Sequence, residues 1–213
     1  MKIGAVIQLV EISELKRAFT FAEIRATAQR CEELGFDSIW VYDHILYRTK
    51  TGETTGIWES WSMLSALAAC TQKVELGPLV ACNSFRNPAL LAKMAHTLDE
   101  ISGGRLILGL GAGWNKPEYD ALGIPFDHRV DRFEEALQII RPLLKEGQVD
   151  FSGKYYTARD CEIRPRSPRP GGPPLMIGAF KPRMLHLAAQ YADLYNVGYM
   201  SGPRTTEKPL RNL

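Results

Sequence analysis

The sequence predicts an α/β fold: a parallel sheet covered by helices on its outer face, arranged either as a doubly wound sheet or as a barrel. Three observations predict it. Six short apolar runs rich in β-branched residues alternate along the chain with segments of helical period, the order that repeated βαβ units produce. The runs are close to continuously apolar, as strands buried on both faces are. Consecutive runs are joined through helices, and such a crossover forces its two strands to lie parallel.

Residues 3–10 are the first run. Thr20 and Glu23 form a capping box ahead of a helix whose inner face is Phe21, Ile24, Ala28, Cys31 and Leu34 and which Gly35 ends. Residues 37–42, with SIWVY at their centre, are the second strand, and an apolar, alanine-rich helix over 58–70 leads to a third strand over 74–81. Pro78 lies inside that strand with no N–H to give the ladder, which predicts a bulge or break at 78–80. Asn87 as N-cap and Pro88 at the first helical position open the next helix, with Leu91, Met94, Ala95 and Leu98 as its buried stripe. The turn Ser102-Gly103-Gly104 leads into a fourth strand over 105–110. Val130, Phe133, Leu137, Ile140 and Leu144 then mark a long helix that Pro142 should kink in its last turn. Residues 149–163, turning at 151–154, read as a β-hairpin inserted between repeats. A Pro/Arg/Gly loop over 164–174 precedes a fifth strand at 175–177, a helix over 182–192 and a sixth strand at 193–197.

The 213 residues suffice for one domain with a core that needs no disulfide or metal staple. A net charge of +2 leaves no massed charge for nucleic acid or a polybasic membrane contact, so neither partner is expected. Cys31, Cys70, Cys82 and Cys161 form no CxxC pair and have no His at zinc-ligand spacing, so they read as reduced thiols and no metal is expected. Glu11 and Glu14 interrupt the N-terminal apolar run and no stretch of about 20 apolar residues exists, so a cytoplasmic protein is expected. A complete eight-stranded barrel takes about 250 residues, whereas the pattern here stops at the sixth strand. The expected division is therefore a β/α domain over 1–198, two units short of a barrel, and a polar tail over 199–213.

In parallel α/β folds the chemistry collects beyond the carboxyl ends of the strands. Those ends here carry Gln8, then Asp43-His44, Cys82-Asn83-Ser84, GLGAGW at 109–114, GAFK at 178–181, and Asn196. Asp43-His44 sets a carboxylate and an imidazole at the mouth, where His44 is either a proton donor near neutral pH or a structural hydrogen-bonder. His96, His128 and His186 fall in or before helices and take no role. The glycine run is not a dinucleotide fingerprint, because Trp114 stands where the third glycine is needed. Its glycines admit a planar ring or a phosphate close to the backbone, or simply turn the chain. Lys181-Pro182 combines free N–H groups with a cation and suits a phosphate, or is an ordinary helix start.

Four tracts carry a family resemblance: EELGFDSIWVYDH at 32–44, NSFRNPALLAKMAHTLDEISGGRLILGLGAGW at 83–114, the stretch 118–123, and PPLMIGAFKPRMLHLAAQYADLYNVG at 173–198. In this order they are similar to the bacterial luciferase-like superfamily of flavin- and deazaflavin-dependent oxidoreductases, and most similar to its branch that uses coenzyme F420, an 8-hydroxy-5-deazaflavin. The resemblance implies a TIM-barrel-like (β/α)8 fold, incomplete at about six units. It implies a cofactor ring across the barrel mouth, with Asp43 and His44 as catalytic residues and Gln8, Leu79, Val80 and Asn83 among the groups that bind it. It implies a non-proline cis peptide at Leu79-Val80, in a bulge that presses on the ring. The phosphate tail would be held by Gly111, Ala112 and Gly113 and by Gly178, Ala179 and Lys181. Sugar-phosphate dehydrogenases of the family place a glutamate where Trp114 stands, so Trp114 and Glu118 become the substrate-side candidates here. Glu118, one helical turn onward, is either a replacement for that glutamate or an exposed helix carboxylate.

The activity implied is hydride transfer between a small organic substrate and F420, with His44 donating or holding the exchanged proton. The alternatives are an FMN-dependent monooxygenase and a non-catalytic cofactor-binding protein. Unpaired edges on the first and sixth strands further imply a homo-oligomer, with family dimers as precedent.

Overall fold

The computed structural model describes residues 1–48 and 51–197. The expected polar tail over 199–213 lies outside them. The elements in order are β1 (Gly4–Val6), α1 (Phe21–Glu33), β2 (Ser38–Val41), β3 (Leu46–Arg48), β4 (Thr54–Gly56), α2 (Ser60–Cys70), β5 (Glu75–Pro78) and β6 (Ala81–Cys82). A 3-10 turn at Asn83–Phe85 is followed by α3 (Pro88–Ile101), β7 (Leu108–Gly111), α4 (Lys116–Leu122), α5 (Arg129–Lys145), β8 (Gln148–Ser152), β9 (Thr157–Glu162), β10 (Leu175–Gly178), α6 (Pro182–Tyr191) and β11 (Leu194–Asn196).

β1, β2 and β5 pair in parallel in that order, and β6, β7, β10 and β11 do the same. β5 and β6 are the halves of the expected third strand, parted at Leu79-Val80, whose peptide bond is cis. A parallel bridge between Leu76 and Leu106 joins the two sheets across the break. Each strand of the β/α repeat therefore lies beside the next one in the chain, with no reversal of order. A doubly wound sheet reverses at its switch point, so of the two arrangements open to the sequence this is the barrel-like one.

The strand runs read as uniformly apolar, yet their two faces differ. Ile39, Val41, Leu76, Leu108, Leu110, Leu175 and Ile177 are fully buried with the helices' apolar faces. Register places Gly4, Ser38, Trp40, Gly77, Gly109 and Gly178 on the opposite, inner face. Two of these glycines explain how the sheets meet. A Cβ at Gly77 would lie 2.1 Å from the Ile107 carbonyl oxygen, and one at Gly109 would lie 2.1 Å from that of Pro78. No side chain fits at that approach.

The local signals behave as their chemistry requires. Thr20 and Glu23 cap α1 reciprocally, and Asn87 accepts from the N–H groups of Ala89 and Leu90 with Pro88 behind it. α2 begins at Ser60, two residues later than expected, because Glu59 is its cap and accepts from Trp61 and Ser62. On α1 only Ile24 and Ala28 are buried, while Phe21 and Leu34, which share their period, sit exposed at the helix's two ends. α5 continues through Pro142 to Lys145. The inserted hairpin is β8–β9, and its turn falls at 153–156, later than expected. Glu135 on α5 sets it there by accepting from the N–H groups of Lys154, Tyr155 and Tyr156. A second hairpin, β3–β4, and the short helix α4 were not signalled by apolar periodicity.

Among the described residues, β1 and β11 each pair on one side only, and Val6 and Leu194 at these edges are 44% and 43% exposed. No helix among them is long and apolar enough to cross a membrane.

Asp193 closes the far end of the sheet, accepting two bonds from Arg141 at 2.6 and 2.8 Å and one from the Leu175 N–H at 2.9 Å. The Arg141 bond is the main reason its carboxyl falls from an ordinary 3.8 to about 2. A depressed carboxylate stabilises the fold above its unfolded pKa and loses that contribution as pH falls through the folded one. Asp193→Asn should therefore cost about 1 kcal/mol near neutrality, a figure reduced for solvent screening of a partly exposed group. Urea melts in a pH series should show the gap between variant and wild type closing from about pH 4 to about pH 2.

Candidate active site

The end of β2 and the loops after β6 and β7 bring the central candidates together. Asp43 is 3% exposed and accepts from Ser60 Oγ at 2.6 Å, from the Cys82 N–H at 2.9 Å, and from both terminal nitrogens of Arg86 at 2.7 and 3.1 Å. All four of its lone-pair directions are engaged. This geometry makes Asp43 an anchor for the segments around it. Arg86 also bonds Glu59 at 2.9 Å and lies over the Trp61 ring, so the anchor ties β2, α2 and β6 to the turn before α3.

His44, the next residue, points elsewhere. Its Nδ1 is 3.0 Å from Glu118 Oε2, and its ring stands 4.5 Å from that of Tyr47 and edge-on to that of Trp114 at 5.5 Å. Trp114 is 67% exposed, whereas Glu118 is 1% exposed. Glu118 is thus not the solvated helix carboxylate that its spacing permits. Its Oε1 accepts from the Ile45 N–H at 2.5 Å and the Leu46 N–H at 3.3 Å. Burial alone would raise its pKa, but the bonds from His44, Ile45 and Leu46 outweigh burial and hold the carboxyl below its usual range. The nearby Tyr47 hydroxyl is pushed up to about 12 by burial and by the Glu118 charge. Asn115 adds a bond to the Leu46 carbonyl at 3.1 Å, so α4 and the residue before it clamp β3 beside the imidazole.

The glycines at the strand ends have identifiable neighbours. A Cβ at Gly111 would come within 2.8 Å of a Val80 methyl, and one at Gly178 within 3.1 Å. The Val80 side chain therefore occupies the space these glycines leave. At Gly113, with φ +78°, a Cβ would meet Tyr119 Oη at 2.0 Å and Cys82 Sγ at 2.6 Å. That glycine admits the Tyr119–Cys82 contact at 3.3 Å. Burial pushes the Cys82 thiol up to about 11, which leaves it unreactive near neutrality.

Two features fit a ring-bearing, phosphorylated cofactor. Asn83 is completely buried and its amide makes no hydrogen bond of good geometry, although the Tyr156 hydroxyl interacts with it, and the neighbouring Ser84 hydroxyl stands in the same relation to Tyr119. A buried amide with hydrogen-bonding capacity to spare suits the polar edge of a heterocycle. Lys181 is exposed, makes no ion pair among the described residues, and is the N-cap of α6 without a side-chain cap. Gln8 is exposed beyond β1, Ala112 is half-buried after β7, and Ala179 is buried with its N–H bonded to the Asn196 carbonyl. Among the described residues no three His, Cys, Asp or Glu gather as a metal site.

Six parallel strands in chain order define a barrel-type α/β protein, with the candidate site at the strand ends. The chain belongs to the luciferase-like monooxygenase family, whose model matches residues 1–213. It is 36% identical over 196 residues to the pyrimidine monooxygenase RutA of Klebsiella pneumoniae, covering 87% of this chain and 52% of that protein. It is 35% identical over 173 residues to the 5,10-methylenetetrahydromethanopterin reductase of Archaeoglobus fulgidus, covering 81% and 48%. A solved F420-dependent secondary alcohol dehydrogenase, in complex with an F420-acetone adduct, superposes with a TM-score of 0.77 at 26% identity, covering 91% of this chain and 57% of that one. The chain thus spans about half the length of the curated relatives it matches.

Asp43→Asn tests the anchor. Removing one partner of a buried ion pair should cost roughly 3 kcal/mol, about 10 °C in a thermal melt of a chain this size. An unchanged melting temperature would overturn the anchor.

Proposed function

We propose that this chain forms the cofactor-binding part of an oxidoreductase that moves a hydride between a small organic substrate and coenzyme F420, with His44 holding or donating the exchanged proton. The observation that carries the reading is the half-buried imidazole of His44, tethered at Nδ1 by a buried carboxylate so that Nε2 remains for proton exchange. The likeness to the F420-dependent alcohol dehydrogenase supports the choice of cofactor.

The deazaflavin supplies hydride chemistry when bound; the protein supplies position and electrostatics. Asn83 is proposed to meet the polar edge of the ring, with Gln8 at the rim. Leu79 and the Val80 methyls provide an apolar wall, backed by Gly111 and Gly178. Lys181 and the uncapped N–H groups of α6 would bind the anionic tail, with Ala112, Gly113 and Ala179 alongside. Trp114, exposed beside His44, would face the substrate and exclude water from the imidazole. The second reading is an FMN-dependent monooxygenase, favoured by the 36% identity to a pyrimidine monooxygenase.

Titration of the purified chain with oxidised F420 and with FMN, followed by absorbance and fluorescence, separates the readings: tighter binding of F420 is expected, and binding of FMN alone would favour the second. His44→Ala should lower turnover about 10²-fold or more, the range for loss of a positioned acid-base group. A variant as active as wild type across about pH 5 to 9 would assign His44 to structure.

The exposed edges of β1 and β11 support a homo-oligomer that buries them. Light scattering should give a mass above that of one chain; a monodisperse, cooperatively melting monomer would overturn this.

A further inference from the structure

The geometry assigns to Glu118 a positioning role: it fixes the tautomer of His44 with the proton on Nδ1, so that Nε2 is the atom presented for proton exchange. This rests on the reading of His44 as the proton-handling group, but the tautomer itself is a property of the chain alone.

Three donors converge on this one carboxylate. Oε1 is taken by the N–H groups of Ile45 and Leu46, and a backbone N–H can only donate, so both bonds require a bare oxygen there. Oε2 then faces His44 Nδ1 at 3.0 Å. An ionised carboxylate can only accept, so Nδ1 must carry the hydrogen. In neutral imidazole the lone pair is then on Nε2. The tether also fixes the ring's direction, because turning the imidazole over would exchange Nδ1 for a carbon and leave the buried charge short of a donor. Tyr47 and Trp114 flank the ring. The same residue that orients the imidazole also pins the first two residues after it, so ring and loop are set by one group. A buried carboxylate holding a histidine in one tautomer is a recurrent device in general-base catalysis, and burial at 1% exposure keeps water from competing for these bonds.

Glu118→Gln separates this role from simple support. The glutamine carbonyl can still accept from Ile45 and Leu46, so the loop tether survives. Its NH₂ group then faces Nδ1 as a donor, which makes Nδ1 the acceptor and moves the proton to Nε2. Two-bond ¹H–¹⁵N correlation spectra of ¹⁵N-histidine-labelled protein at about pH 8, above the ordinary imidazole range, report the tautomer directly. The His44 signals are identified by their loss in His44→Asn. The expected result is the Nδ1–H form in wild type and the Nε2–H form in Glu118→Gln, with kcat lowered about 10²-fold and KM little changed. An Nε2–H form in wild type, an unchanged tautomer in the variant, or a reversed tautomer with full kcat would each overturn the assignment. If Glu118→Gln fails to fold, the wild-type spectrum still decides. If the wild-type chain shows no turnover, the oxidoreductase reading fails while the tautomer remains measurable.

Discussion

A carboxylate buried as deeply as Asp43 is tolerable only when fully matched, and its match organises the mouth of the fold. Arg86 reaches it from the turn before α3, Ser60 from the first residue of α2, and the Cys82 N–H from the restarted third strand. Three stretches of the chain, around residues 43, 60 and 82–86, are brought to one point, and none can shift without leaving the buried carboxylate short of a donor. His44 takes its place from this arrangement because it follows Asp43 directly. The two residues of the dipeptide thus part: one holds the frame and the other is held by Glu118.

The loops are secured in a related way. Glu32 accepts from the N–H groups of Gln72, Lys73 and Val74, Glu118 from those of Ile45 and Leu46, and Glu135 from those at the turn of the β8–β9 hairpin. Irregular backbone has no ladder to satisfy its donors, and a carboxylate can take several at once. Each of these glutamates sits on a helix, so helix positions determine loop positions. The site inherits its order from helices that pack for ordinary apolar reasons.

What the sequence reveals follows from how local each interaction is. The capping box at Thr20 and the Asn87-Pro88 helix start are bonds within a few residues, and both are legible. The break at Leu79-Val80 is legible because Pro78 has no N–H, and because the surrounding tracts resemble a family with that bulge. The His44–Glu118 pair spans 74 positions, and the bonds from Glu118 go to backbone N–H groups, which carry no residue signature. Its burial therefore leaves no trace in the pattern. The helix that carries it was within reach, since Pro117 and Gly123 bracket α4 as start and stop signals. Phe21 and Leu34 show the converse, since periodicity identifies a face but not how far along the helix that face is covered.

The close fit of Val80 among Gly109, Gly111 and Gly178 has a consequence for how this protein can diverge. A side chain gained at Gly111 collides with residue 80, one at Gly178 crowds it and one at Gly109 meets the Pro78 carbonyl first, and a smaller residue at 80 leaves a gap that the glycines cannot fill. Gly111 and Gly178 can change only together with residue 80, whereas Gly109 is held by backbone. Three strands thereby share one evolutionary constraint, and a reshaped barrel mouth is expected to arise by paired exchanges across it.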